Sequence, residues 1–404
     1  MAAVYITGKI LFLMKLLKQP LMCLVLSITL AMILAKWLSL STVCFFYTVS
    51  RCFIEVLLFV LPLIVFSFIL RALVNIKRGS FKLLLLIFAG VTLSNCFALT
   101  LSYFFSKAVL PYAGISLSPE FATKFATMVT VNYTFGFPSL IGTEKALLLG
   151  VFCGLLLNFL NEKSSVRATL KDASVWLSDR VSLLLTKIFI PLLPVYVFGF
   201  CLKLSYDDAL IHLFQQYGKV FFLSMSLVVV YITSLYCVAA MGNLRKARAY
   251  IKTMLPAGLT GFSTMSSAAT MPVTLRCTEK ATQDKNFADL IIPSTANIHM
   301  LGDDLVILMM AMALLSIFGM PWPDMMVFVP FALAFSMAKL SCVGIPGASV
   351  FVVLPVLETY LGFTPEMISI LTTLYMLQDP FGTAANVMGN GAFALIVQRL
   401  FRRV

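Results

Sequence analysis

Around twenty consecutive apolar residues cannot be laid on a water-facing surface, and when such runs recur along a chain their peptide groups can be satisfied only in membrane-crossing helices. Here they centre on residues 20–38, 52–74, 82–110, 145–160, 181–202 and 217–241 of a 404-residue sequence. Each is apolar around its whole circumference rather than along one stripe, as a span is and a surface helix is not. The chain is 60% hydrophobic and 12% charged, against about 45–50% and about 25% in ordinary soluble domains. A soluble fold is therefore excluded. The length allows about eight spans plus some irregular pieces, with no room for a large soluble domain. The first run, from Leu21 to Leu38, lacks a small-residue cleavage site and reads as a span rather than a cleaved leader.

The net charge of +13 would suggest nucleic acid in a soluble protein. Here the cations sit in short clusters between apolar runs, and no basic–aromatic surface domain exists to bind nucleic acid. Lys9, Lys15 and Lys18 precede the first span. Arg71, Lys77, Arg78 and Lys82 follow the second, Lys163, Arg167, Lys171 and Arg180 the fourth, and Arg245, Lys246 and Arg248 the sixth. That alternation places the N-terminus and these clusters in the cytoplasm, with Arg399, Arg402 and Arg403 returning the C-terminus to the same side. The nine cysteines have no metal-ligand spacing and read as small core residues.

Beyond residue 250 the pattern breaks. Segment 253–274 is apolar enough to enter a bilayer yet carries Gly258, Gly261, a Ser/Thr run and Pro272; segment 341–356 repeats that character with Gly344, Pro346 and Gly347. Irregular backbone at bilayer depth is tolerated only where protein buries it or a cavity receives it, and two such segments in corresponding positions point to a transporter's binding site. Arg276, Lys280 and Lys285 make the first segment enter and leave from the cytoplasm, so the second should enter from outside.

Asp379 lies in an apolar helix, where an uncompensated carboxylate costs at least roughly 2.5–3.5 kcal/mol, so it should have a partner. Either a ligand's ammonium or a neighbouring helix can supply one. Thr383 shares its face at i+4, and Asn386 lies a turn further on. Ser266 and Ser267 in the first broken segment, and Gly344, Ile345 and Gly347 in the second, would leave backbone groups unpaired. Such N–H groups suit an anionic carboxylate, unless the segments are simply turns without a ligand. His299 and Asp303, at i and i+4, could meet as a proton carrier or as a polar pair that fixes packing. Glu55 and Asp304 have no assigned role.

The stretches Ser266 to Thr274, Ala296 to Gly302 and Gly344 to Ala348, followed by Asp379, Thr383 and Asn386, resemble the dicarboxylate/amino acid:cation symporter family over about residues 252–396. The spans before them agree only in number and spacing. The resemblance implies an all-α integral membrane protein of the cell membrane, with eight transmembrane helices and two re-entrant helical hairpins, working as an elevator-type transporter and a homotrimer. It implies scaffold helices 1–2 in residues 1–80, transport-domain helix 3 in 81–111 and scaffold helices 4–5 in 112–203. The transport domain would resume over 204–404, with helix 6, hairpin 1 at about 252–277, helix 7 at about 286–318, hairpin 2 at about 327–362 and helix 8 at about 366–396. Carried over residue by residue, the substrate site would comprise Ser266, Ser267, Met300, Gly344, Ile345, Gly347, Asp379, Gly382, Thr383 and Asn386. Asp379 would meet an amino group and Asn386 an α-carboxylate.

Three departures shape the expected function. Acidic amino acid carriers of that family have Arg where this chain has Gly382, and the family's cation-binding carboxylates are replaced by Leu301 and Asn390. His299 and Asp303 add titratable groups, so cation coupling would rest on His299, Asp303, Asn386 and Asn390. The expectation is a symporter of a small neutral amino acid, with no organic cofactor and no certain metal site, driven by H+ in preference to Na+. The alternative is a C4-dicarboxylate or acidic amino acid:cation symporter; a dicarboxylate has no ammonium to offer Asp379. A channel would need a polar stripe that the first six spans lack. An enzyme would need a nucleophile and base, yet there are only two histidines and no Gly-x-Ser-x-Gly or His-Glu-x-x-His.

Overall fold

A computed structural model describes residues 20–74, 81–115, 129–131, 133–134, 136, 141–160, 165–208, 210–342, 344 and 346–401. Lys9, Lys15, Lys18, Lys77, Arg78, Lys163, Ile345, Arg402 and Arg403 lie outside the described residues. The apolar runs become helices α1 (Pro20–Leu34), α2 (Leu40–Val74), α3 (Phe81–Val109) and α4 (Thr143–Phe159). They are followed by α5 (Ser165–Leu184), α6 (Ile190–Tyr206) and α7 (Leu210–Ala239). Among the described residues, four stretches are long and apolar enough to cross a membrane: Leu40–Arg71, Ile87–Val109, Ser165–Tyr206 and Leu210–Ala239.

Two boundaries differ from the sequence reading. The second helix begins at Leu40 rather than near residue 52, because Ser39, Thr42 and Ser50 are compatible with a helix even though they dilute its hydropathy. The fifth span extends back to Ser165. Its polar opening hides a buried face of Arg167, Ser174, Ser178 and Val181, and Arg71 of α2 reaches Ser178 and Asp179 on it. A π-helical turn, Leu185–Phe189, joins α5 to α6. It lies where Pro191 and Pro194 deny the helix two amide donors and crowd the carbonyls a turn earlier.

The second half consists of helices interrupted by short breaks: α8 (Leu244–Thr264), α9 (Ser267–Thr282), α10 (Lys285–Thr295), α11 (Leu301–Ile317), α12 (Met325–Lys339), α13 (Ala348–Leu361) and α14 (Pro365–Phe401). Gly258, Gly261 and Pro272 do not break the first interrupted segment, contrary to the sequence reading; the break is at Met265, which is left-handed at φ 53°, and Ser266. The two glycines instead admit α14. A Cβ at Gly258 would lie 3.0 Å from the Met388 side chain, and one at Gly261 would lie 3.3 Å from the Thr383 carbonyl. The α12–α13 connection does break at its glycines, where Gly344 and Gly347 have φ of 58° and 75°, a conformation that favours glycine.

The expected single helix at 286–318 is two helices separated by residues 296–300. Side-chain amides hold the freed carbonyls: Asn95 on α3 donates to Ile298 O at 2.9 Å, and Asn390 on α14 donates to His299 O at 3.3 Å. Every residue of α11 except Ser316 is buried, which places this helix at the centre, with α3, α7 and α14 packed around it. α1, α2, α4 and α6 form a second group packed mainly on one another.

α11 and α14 touch at Gly302, where a Cβ would lie 2.5 Å from both Ala385 Cβ and Gly382 O. Backbone cannot give way as a flexible side chain can, and overpacking of this kind costs about 1–3 kcal/mol. Gly302→Ala should lower the melting temperature of the detergent-solubilised protein and weaken ligand binding; an unchanged melting curve would contradict so close an approach.

Candidate functional site

Three breaks converge on the middle of α14. The α8–α9 tip meets the α12–α13 loop directly: Ser266 Oγ donates to Gly344 O at 2.6 Å, and Ala268 N donates to the same carbonyl at 3.3 Å. Ser266 also caps α9 by accepting from Ala269 N at 3.1 Å, as N-cap serines do. Thus Ser266 does not present free backbone groups to a ligand as the sequence suggested. Its N–H donates to Thr264 Oγ1, and its carbonyl accepts from the Thr264 and Thr270 hydroxyls. Ser267 is buried at the start of α9.

The α12–α13 loop closes over Asp379. Gly347 N donates to Asp379 Oδ2 at 2.9 Å, while Tyr375 Oη and Thr383 Oγ1 each donate to Oδ1 at 3.2 Å. The partner required of a buried carboxylate is therefore a backbone amide and two hydroxyls, and among the described residues no cationic side chain touches it. This also corrects the expectation for Gly347, whose N–H is spent on Asp379 rather than left for a carboxylate. Tyr375 was missed from sequence, although its i−4 spacing from Asp379 was the available signal.

Asn386 faces α11 with its two ends in different states. Its Oδ1 accepts from Gly302 N at 2.9 Å and Asp303 N at 3.2 Å, capping that helix. Its buried Nδ2 has no hydrogen-bond partner among the described residues. A buried donor left unmade is expensive, so this amide is suited to an incoming acceptor. Met300 lies just before α11, and its sulfur accepts from Ser349 Oγ at 3.6 Å.

His299 and Asp303 do not form the pair expected from i, i+4 spacing. Helix geometry fails at residues 296–300, so His299 is not on α11. Its Nε2 lies 2.9 Å from Ser94 Oγ on α3, and its ring packs against Phe393 with centroids 4.4 Å apart. Asp303 turns the other way, into the space that a side chain at Gly382 would occupy. It is buried, its Oδ1 has no hydrogen-bond partner among the described residues, and it acts electrostatically on Asp379. Asn390, the remaining cation-coupling candidate, uses its Nδ2 on the His299 and Asn386 carbonyls, at 3.3 and 3.0 Å.

Beneath the two loop tips lie the Asp379 and Asp303 carboxylates and the Asn386 amide donor, with no cation contacting Asp379 among the described residues. Such a set can meet a small molecule with an ammonium at one end and an acceptor at the other.

A family model described as the sodium:dicarboxylate symporter family matches residues 16–400, well beyond the stretch whose motifs carried the resemblance. Excitatory amino acid transporter 3 of Mus musculus is 29% identical over 153 residues, which is 37% of this chain and 28% of that protein. Excitatory amino acid transporter 2 of Homo sapiens is 32% identical over 145 residues, 36% of this chain and 25% of that protein. Excitatory amino acid transporter 1 of Rattus norvegicus is 28% identical over 156 residues, 38% of this chain and 28% of that protein. The matching stretch thus spans about a quarter of the length of these relatives.

Proposed function

Because this chain belongs to the sodium:dicarboxylate symporter family, a family of transporters rather than enzymes, we propose that it is a secondary symporter of a small neutral amino acid. The observation that carries the reading is the division of labour on α14. Asp379 offers an uncompensated buried carboxylate to an ammonium, and Asn386 offers an unused amide to the α-carboxylate, on the same helix. Gly382 provides no cation for a second carboxylate, and Asp303, lying against it, repels one. That argues against the alternative, a C4-dicarboxylate or acidic amino acid substrate, despite the names of the relatives.

The coupling ion in this reading is a proton. Two neighbouring buried carboxylates need a counter-charge, and a proton supplies one without an oxygen cage. The carbonyls that the helix break frees at Ile298 and His299, which could serve sodium, already accept from Asn95 and Asn390. The carrier is assigned to Asp303 beside Asp379 rather than to a His299–Asp303 pair.

The α8–α9 and α12–α13 units act as the two re-entrant hairpins in an eight-span, elevator-type protein of the cell membrane, with cytoplasmic termini and a homotrimeric assembly. Residues 1–80 and 112–203 form the scaffold, and residues 81–111 and 204–404 the moving part. Hydrogen bonds from α3 to the second half support that division: Ser102 Oγ donates to Leu305 O at 2.8 Å, and Asn95 reaches Ile298.

Uptake into proteoliposomes with a panel of labelled amino acids and dicarboxylates tests the substrate class. Unlabelled serine and alanine should compete best. Aspartate or succinate outcompeting them would overturn the assignment.

A further inference from the structure

Lys339, the last residue of α12, is fully buried. Its ammonium donates to the Ser349 hydroxyl and, at 3.4 Å, to the Ser349 carbonyl; it lies 3.8 Å from Asp304 Oδ1 and 5.3 Å from the centroid of the Phe335 ring. One nitrogen thereby joins the end of α12, the first turn of α13 and the first turn of α11. An ammonium taken wholly out of water is costly unless paired and hydrogen-bonded, and this one is both.

Its position relative to the site gives the contact its significance. Lys339 and Ser349 flank the loop that carries Gly347, and the Gly347 N–H covers Asp379, which is only 3% exposed. A ligand group that takes the place of the Gly347 N–H on Asp379 has to displace Gly347. The ammonium adds to the hydrogen bonds that hold this loop at Gly344 and Gly347: it donates to Ser349 and lies beside Asp304 on α11, next to the site carboxylate Asp303.

We propose that Lys339 is a cation site the chain fills itself: its tethered ammonium neutralises Asp304 and clasps the α12–α13 hairpin onto α11, so the hairpin closes without a bound metal cation. Three oxygens, of Ser349 and Asp304, surround the nitrogen much as hard ligands surround a small cation. Unlike a diffusible ion, this charge cannot leave between cycles. It travels with the hairpin, and the only counter-charges that come and go are those at Asp303 and Asp379. Lys339 is thus a positioning residue for closure and does not touch the ligand.

Cys342, buried and three residues beyond Lys339, reports the lifting of this loop. The experiment is maleimide labelling of the full-length protein in proteoliposomes, with modification at Cys342 followed by peptide mass spectrometry. The wild-type rate should be the same in sodium and in N-methylglucamine chloride. Lys339→Ala should label roughly tenfold faster, as the loss of a charge-assisted hydrogen bond implies. Methylammonium, which can enter the vacated space, should slow it again, and Lys339→Arg should stay near the wild-type rate. Sodium slowing the wild type would overturn the proposal, because a separate metal site would then be closing the hairpin. So would a Lys339→Ala rate equal to wild type, or a fast rate that methylammonium leaves unchanged. If Lys339→Ala does not fold, the sodium comparison on wild type and the Lys339→Arg rate still decide. Labelling needs no substrate, so the result stands apart from the substrate assignment above.

Discussion

On the proposed function, Asp379→Asn should abolish amino acid uptake while the protein remains folded. The substitution preserves shape but removes the charge that meets the ammonium, and truncating one partner of a buried pair costs about 3–5 kcal/mol. At about 1.4 kcal/mol per decade this is roughly a hundredfold to several thousandfold. A second effect acts in the same direction. Asp379 accepts from Gly347 N, Tyr375 and Thr383, and a neutral amide oxygen holds the Gly347 N–H more weakly than a carboxylate does, loosening the closed loop. Initial uptake rates alongside a thermal melt separate function from folding. Uptake near the wild-type rate would make Asp379 a packing residue.

The second large effect concerns the driving force. In sodium-free vesicles, an imposed gradient, acid outside, should concentrate the amino acid in the lumen. Asp303→Asn should still equilibrate substrate but lose that concentration, because the second carboxylate of the pair can no longer receive a proton. His299→Gln should keep it, since His299 contacts Ser94 and not the carboxylates. If a sodium gradient alone drives accumulation and both variants retain it, the proton assignment is wrong.

The spans were legible because an all-round apolar run has few alternatives: α1, α2, α3, α4, α6 and α7 fall on the six expected runs, whereas α5, with its polar start, lies mostly outside them. The placement of Asp379, Thr383 and Asn386 was legible too, since they lie on one uninterrupted helix whose spacing fixes their face. Where helices break was not legible. Gly258 and Gly261 look like breakers but are close-approach positions, and the break before α11 falls at residues whose helix is undone by Asn95 and Asn390, from α3 and α14. His299 and Asp303 misled for the same reason, because their spacing has meaning only if a helix connects them. The Lys339–Asp304 pair went unremarked because it spans two elements, and nothing in either local sequence refers to the other.

The hydrogen bonds from α3 to the second half also impose a timetable on biosynthesis. Asn95 and its acceptor Ile298 are 203 residues apart, as are Ser102 and Leu305. At about 5–20 residues per second, the ribosome needs roughly ten to forty seconds after α3 emerges before those carbonyls exist. Throughout that interval α3 carries an amide and a hydroxyl with no permanent partner. It must keep them in the translocon, at the headgroups or on an earlier helix until α11 arrives, so the docking of α11 on α3 is an exchange of temporary partners for native ones.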